Sequence, residues 1–277
     1  MIRFLILSGY FELMMYLQVS GNLDKYINVH YRYLAFITMG LSLLLALVQL
    51  KIWVSGNKEQ ADHGHHDHGL TKPYQKAIAY FLLSVPLIIG FLFPTISLDA
   101  SIVENKGFSF PISKESTGDP QMSTQYLKPD TSIYYNSADY DQQMDQLMKK
   151  YQDLDELKIT DENYLEMMEL IYNYPSTFAG KPISFEGFAY ETTKENQTYD
   201  FLFRFGVIHC IADSGVFGLL ADLPEGSSLE NNQWYHLEGT ITIDYFEPYQ
   251  RQLPAITVTN VVQISPPKDQ YVYRAFE

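Results

Sequence analysis

The chain has 277 residues, 46% of them hydrophobic, and a formal net charge of −14. Seven of the 19 basic residues and five of the 33 acidic ones precede residue 99, so the rest of the chain carries −16. A surface this acidic cannot neutralise phosphates, which excludes nucleic acid as a partner and favours cations or a basic surface; a lone cysteine excludes an intrachain disulfide.

Three apolar runs come first. A helix that crosses a bilayer needs about 20 mostly apolar residues, and Phe4–Val19, Tyr33–Val54 and Ala77–Ser97 read as three such helices in contact with membrane lipid. The first follows Arg3 as a signal peptide would. However, Leu17-Gln18-Val19-Ser20-Gly21-Asn22 offers no small-x-small cleavage site and two more spans follow, so it is read as retained. Tyr31, Tyr33, Trp53, Tyr74 and Tyr80 fall near the ends, where amphipathic rings favour the interface. Arg3, Lys51, Lys58, Lys72 and Lys76 against Lys25, Arg32, Lys106 and Lys114 give a five-to-four bias for a cytoplasmic N-terminus. That orientation puts the loop between the second and third spans in the cytoplasm and the C-terminal domain outside. Pro86 predicts a kink in the third span. Three helices without an internal repeat are too few for a transporter of the paired-repeat kind, so any transport role lies beside a larger, channel-forming subunit.

Glu12 interrupts the first run. A carboxylate in hydrocarbon is costly unless it is paired, neutralised or turned towards a cavity. Either it faces a partner subunit or an ion path, or it sits protonated or bonded to Thr38, Ser42 or Gln49 of the neighbouring helix.

The loop at 55–76 carries His63, His65, His66 and His68, with Asp67 among them and Asp62 just before. Neutral imidazoles suit Zn²⁺, Ni²⁺, Co²⁺ and Cu²⁺, and His-rich tracts commonly bind metal. Gly64 and Gly69 let the loop fold around an ion. A structural zinc site uses well-separated ligand pairs on rigid elements, so the other reading is a solvated linker that meets metal only incidentally. The cofactor expected, if there is one, is a divalent ion such as Zn²⁺.

Beyond the membrane region (1–98), residues 99–135 read as a polar tether with scattered Pro and Gly. A helical segment (136–175) follows. Ser137 is placed to cap a helix over Ala138–Lys150, with Met144, Leu147, Met148 and Tyr151 on one face, and Thr160 starts a second with Leu165, Met168, Leu170 and Ile171 facing the core. Pro175 closes it. From 176 to 277 the pattern is β. Pro182–Tyr190, Tyr199–Ala212, Val216–Leu223, Trp234–Tyr245 and Ala255–Ile264 are rich in β-branched and aromatic residues and separated by polar turns. Gly187 and Gly239 predict bends at barrel corners. Five curved antiparallel strands in this length fit a small OB-like β-barrel, with a sandwich as the other architecture. The fold class is therefore an α+β membrane protein with three N-terminal transmembrane helices, a short helical segment and a C-terminal OB-like domain.

Cys210 lies between His209 and Asp213. Strand alternation puts His209 and Cys210 on opposite faces, and a turn at Asp213 returns its carboxylate towards them. This is either a metal or ligand site at a strand end, or a cysteine that packs as a small hydrophobe.

The order of these parts is itself a pattern. It comprises hydrophobic spans, a His-rich loop, a third span ending Pro94-Thr95-Ile96-Ser97-Leu98-Asp99, then Gly180-Lys181-Pro182-Ile183, Glu186-Gly187-Phe188, Arg204 to Asp213, and Trp234 to Gly239. It resembles the DUF1980 family over nearly the whole chain, most specifically in the Arg…Cys-x-x-Asp segment. The resemblance implies membrane localisation, no catalytic activity, and pairing with a larger multi-span permease subunit encoded beside it. Family members often carry two adjacent cysteines where this chain has His209-Cys210. The exchange keeps a potential Zn²⁺ ligand and puts in doubt any role that needs two thiols.

No G-x-S-x-G, phosphate loop or H-E-x-x-H is present, and His209 with Asp213 does not make a triad, so the chain is not read as an enzyme. The function expected is an accessory subunit of a two-component membrane permease, involved with a divalent metal. The alternative is a membrane-anchored module presenting its barrel to an envelope ligand or protein.

Overall fold

The computed structural model describes residues 1–55, 72–93, 103, 137–194 and 197–274. It forms two compact units, Met1–Ser97 and Leu98–Glu277.

Among its described residues the first unit holds three α-helices: α1 (Ile2–Val19), α2 (Arg32–Ser55) and α3 (Pro73–Leu92). Each is long and apolar enough to cross a membrane. Two 3₁₀ turns, at Asn22–Lys25 and Val29–Tyr31, join α1 to α2. The connection is held by Asn28, whose Oδ1 accepts the His30 N–H at 3.0 Å, and by an Arg32–Asp24 ion pair. Leu13 and Leu17 of α1 pack with Leu23 and Ala35, and Leu87 of α3 joins them. Small residues bring α1 and α3 together: a Cβ at Gly9 would stand 2.9 Å from Leu87 Cδ1, and one at Gly90 2.7 Å from Leu13 Cδ1. Such close approach is how helices associate without a hydrophobic driving force. Pro86 lies inside α3, which runs on to Leu92. The third span predicted from Ala77 thus begins earlier, at Pro73, whose fixed φ suits a first helical position.

The second unit is a barrel with helices on it. Its elements are α4 (Ser137–Tyr151), β1 (Leu157–Lys158), α5 (Tyr164–Asn173), α6 (Pro175–Phe178), β2 (Pro182–Lys194), β3 (Gln197–Val207), β4 (Gly215–Asp222), β5 (Trp234–Phe246), β6 (Arg251–Ile264) and β7 (Tyr271–Tyr273). The ring order is β2-β5-β6-β4-β3, and β3 pairs back with β2. One long strand makes this closure: β2 pairs with β5 over Pro182–Phe188 and with β3 over Phe188–Lys194. The β4–β6 contact is parallel and only Leu220–Asp222 long. All other ring pairings are antiparallel, giving the closed five-stranded OB-like barrel. Short β1 and β7 add parallel pairings to β2 and β3.

The interior is filled by side chains such as Phe185, Leu202, Leu219, Leu237 and Ile256, which strand pairing sets on one face and which are all fully buried. From Phe201 onward β3 is buried on both faces: Leu165 of α5 stands against Gly206 on one, and Phe201 and Phe203 pack with Phe188, Tyr190 and Phe246 on the other. Two tyrosines of α5 dock on β4. Tyr164 OH donates to the Phe217 carbonyl at 3.2 Å, and Tyr172 OH donates to the Gly218 carbonyl while accepting the Gly218 N–H at 2.8 Å. Arg274, at 6% exposure, ties the chain end to α5 through Glu169 at 3.2 Å and to α4 through Gln143 at 3.2 Å.

Several expectations shift. The second helix begins at Tyr164 rather than Thr160, because Asn163 Oδ1 accepts the Thr160 N–H at 2.7 Å and its Nδ2 donates to the Lys158 carbonyl, holding 160–163 as a turn. It is buried around almost its whole circumference, not on one face. Pro175 follows its end and then opens α6. The strand expected to run to Ala212 stops at Val207, so the opposite-face argument for His209 and Cys210 fails. Asp213 is the reason, since its carboxylate takes local backbone N–H groups that would otherwise bond across the sheet. Of the predicted tether at 99–135 only Val103 is described, and it is buried in the core of the second unit.

Candidate functional site

Asp213 builds the corner between β3 and β4. It closes the 3₁₀ turn Ile211–Asp213. Its Oδ1 accepts the Cys210 N–H at 2.9 Å, and both oxygens accept the His209 N–H at 3.0–3.1 Å. The His209 Nδ1 lies 2.7 Å from Asp213 Oδ2. A carboxylate only accepts, so this nitrogen carries the proton. The structure thus brings His209, Cys210 and Asp213 into one turn. Asp213 is engaged by three N–H groups of the turn itself, and Cys210 is half-buried. Among the described residues no group of three His, Cys, Asp or Glu is disposed to hold a metal ion. The His63, His65, His66, His68 and Asp67 cluster lies outside the described residues.

Arg204, six residues before Cys210, is the largest fully buried side chain of the unit, at 1% exposure. A buried cation demands partners. Its fork bonds Asp161 and the Asp269 carbonyl, the latter at 2.8 Å, while its plane lies 5.7 Å from the Tyr164 ring and 5.4 Å from that of Trp234. Arg204 therefore ties together β3, the turn before α5, β5 and the loop before β7. The interruption of the apolar run Phe201-Leu202-Phe203-Arg204-Phe205 was its signal in the sequence.

On the side of the barrel away from that corner, the start of β3 and the ends of β4 and β5 line a groove of about 620 Å³. Three aspartates face it: Asp200, Asp222 and Asp244. Burial pushes the Asp200 carboxyl up to about 6, with a further push from the Glu191 charge. Asp244 is raised by burial and then by Asp222. Such a groove offers acceptors to N–H and O–H donors and repels anions. Pattern reading missed it because the three acids come from three strands that only the closed barrel brings together.

A second acidic group surrounds His236 on β5. Its Nδ1 lies 3.4 Å from Glu186, its cross-strand neighbour, and its Nε2 3.5 Å from Glu238. Both carboxylates bracket the ring, as expected for an outward-facing cross-strand cluster.

In the membrane unit, Glu12 sits in the middle third of α1 and is exposed. Among the described residues it makes no hydrogen bond. Thr38 Oγ1 bonds instead to the Leu34 carbonyl at 2.8 Å on its own helix, so of the alternatives left open by the sequence a bond from Thr38 to Glu12 is not made. Insertion scales put an acidic group at a helix centre at roughly 3 kcal/mol.

The chain matches the family models for the DUF1980 N-terminal domain over residues 2–109 and the DUF1980 C-terminal domain over residues 134–274. It is 45% identical over 280 residues to a protein of Streptococcus mutans serotype c named "Putative two-component membrane permease complex subunit", covering 100% of both chains. It is 42% identical over 290 residues to UPF0703 protein YcgQ of Bacillus subtilis, again covering 100% of both. No solved structure matches the chain.

Proposed function

The chain belongs to the DUF1980 family, and on that premise we propose that it is an accessory subunit of a two-component membrane permease. The observation that carries the reading is the full-length likeness, at 45% identity, to a relative whose name is that of a permease complex subunit. Three helices long and apolar enough to cross a membrane, too few for a transporter of the paired-repeat kind, support it. In this reading the spans pack against a larger multi-span subunit, the barrel lies outside the cytoplasm, and the chain performs no catalytic step. Affinity purification of the full-length chain from its own membrane in mild detergent tests it. A multi-span polypeptide retained in fixed proportion is the expected result, and the chain recovered alone would defeat the reading.

The finer proposal is that the complex handles a divalent metal, and its support is the histidine run at 63–68. Zinc titration of the intact protein should show weaker binding once His63, His65, His66 and His68 are all changed to Ala; unchanged affinity would remove the metal from the account. The acidic groove favours a second reading, a membrane-anchored module whose barrel binds a basic envelope ligand.

A further inference from the structure

The three helices leave one part of α1 unexplained. Its buried side is used up within the unit: Ile6, Leu13 and Leu17 are covered, Tyr10 OH donates to the Leu83 carbonyl at 2.9 Å, and Tyr16 stands against Phe91. The opposite side carries Leu5, Ser8, Glu12, Met15 and Val19, at spacings of three and four that make a straight seam on a helix. Leu5, Met15 and Val19 are 55%, 44% and 85% exposed. At about 1.5 Å per residue the seam runs about 21 Å along the axis, the scale of one bilayer-crossing contact. Glu12 is at its centre.

Lipid cannot cover this seam well. Whether ionised or neutral, a carboxyl in hydrocarbon has oxygens that need donors, and ionisable side chains within spans almost always face protein or a water-filled cavity. A second copy of this chain is a poor cover, because a two-fold interface sets the same patch against itself and brings Glu12 towards Glu12. A basic side chain supplies both the charge and the hydrogen bonds.

We propose that the Leu5–Glu12–Val19 seam of α1 is the docking face for a transmembrane helix of the larger subunit, and that this helix presents a Lys or Arg to Glu12. The inference rests on the permease-subunit reading and names the surface and chemistry through which that pairing is made.

The test uses the full-length chain in its native membrane with a benzophenone side chain placed at Met15 on the seam, or at Leu44 on α2 as a control, which is 57% exposed. Irradiation from Met15 should yield an adduct with the multi-span subunit. Peptide mass spectrometry should map the junction to a membrane helix with a Lys or Arg within one turn. Leu44 should yield little of this adduct, and Glu12→Leu in the Met15 background should abolish it. An adduct between two copies of this chain, a junction in a helix without a basic residue nearby, or no protein adduct at Met15 overturns the proposal. If the partner still co-purifies while Met15 is silent, only the docking face is wrong. If no multi-span partner co-purifies, the permease-subunit reading and this inference fall together.

Discussion

Asp200 shows what a single residue contributes against stability. An unfolded aspartate titrates near 3.9, whereas in the barrel groove burial and Glu191 push this one up to about 6. The folded state therefore holds the proton more tightly. Below both values the group costs nothing; the penalty sets in from about pH 4 and is complete above about pH 6. Asp244 has the same sign. Urea midpoints of the detergent-solubilised protein should rise from about pH 7 to about pH 5 more steeply in the wild type than in Asp200→Asn. At about pH 7 the variant should be the more stable by about 1 kcal/mol, a figure discounted for water in the open groove. Equal slopes in the two proteins would contradict this. Arg204 is the opposite case, a buried charge whose two terminal nitrogens are bonded and whose guanidinium lies 5.7 Å and 5.4 Å from the Tyr164 and Trp234 rings, while its Nε finds no partner among the described residues. Its position in an apolar strand was readable in the sequence; its partners at Asp161 and Asp269 were not, since neither lies within 40 residues of it along the chain.

At the scale of elements, the barrel depends on backbones that touch. A Cβ at Gly218 would stand 1.8 Å from the Leu202 carbonyl oxygen, and one at Gly239 2.2 Å from that of Thr257, where β5 and β6 slip register between Glu238 and Gly239. Backbone cannot yield as a flexible side chain does, so Gly218→Ala should destabilise by about 3 kcal/mol or more. It should also loosen Tyr172, whose hydroxyl clasps both backbone groups of Gly218. Gly226→Ala is the control. A Cβ there meets nothing within 4 Å and only the positive φ of 83° is strained, a cost of about 1 kcal/mol. Thermal melts that rank the two the other way would refute the packing argument. The five strands were legible in the sequence because alternation carries local information, and Gly239, where a bend was expected, falls where β5 and β6 slip register. The ends of elements were less so: β3 stops at Val207 because of hydrogen bonds that Asp213 makes, and α5 starts late because of those of Asn163. Those bonds depend on side-chain geometry that residue type alone does not fix. The short β1 and β7 exist only as additions to a formed barrel.

For the whole molecule, the division at residues 97–98 follows from composition, because three apolar helices and an acidic barrel need different solvents. The reading of Glu12 needed the structure. The sequence left it open whether a neighbouring helix satisfies this carboxyl, and helix packing turns it outward. An outward carboxyl on an apolar three-helix unit suits a subunit that is completed by another protein. Native mass spectrometry of the full-length chain released from its own membrane tests that claim most directly. The account predicts the 32.0 kDa chain in a fixed ratio with a second, multi-span polypeptide; the chain alone at 32.0 kDa, or only multiples of it, would contradict the account.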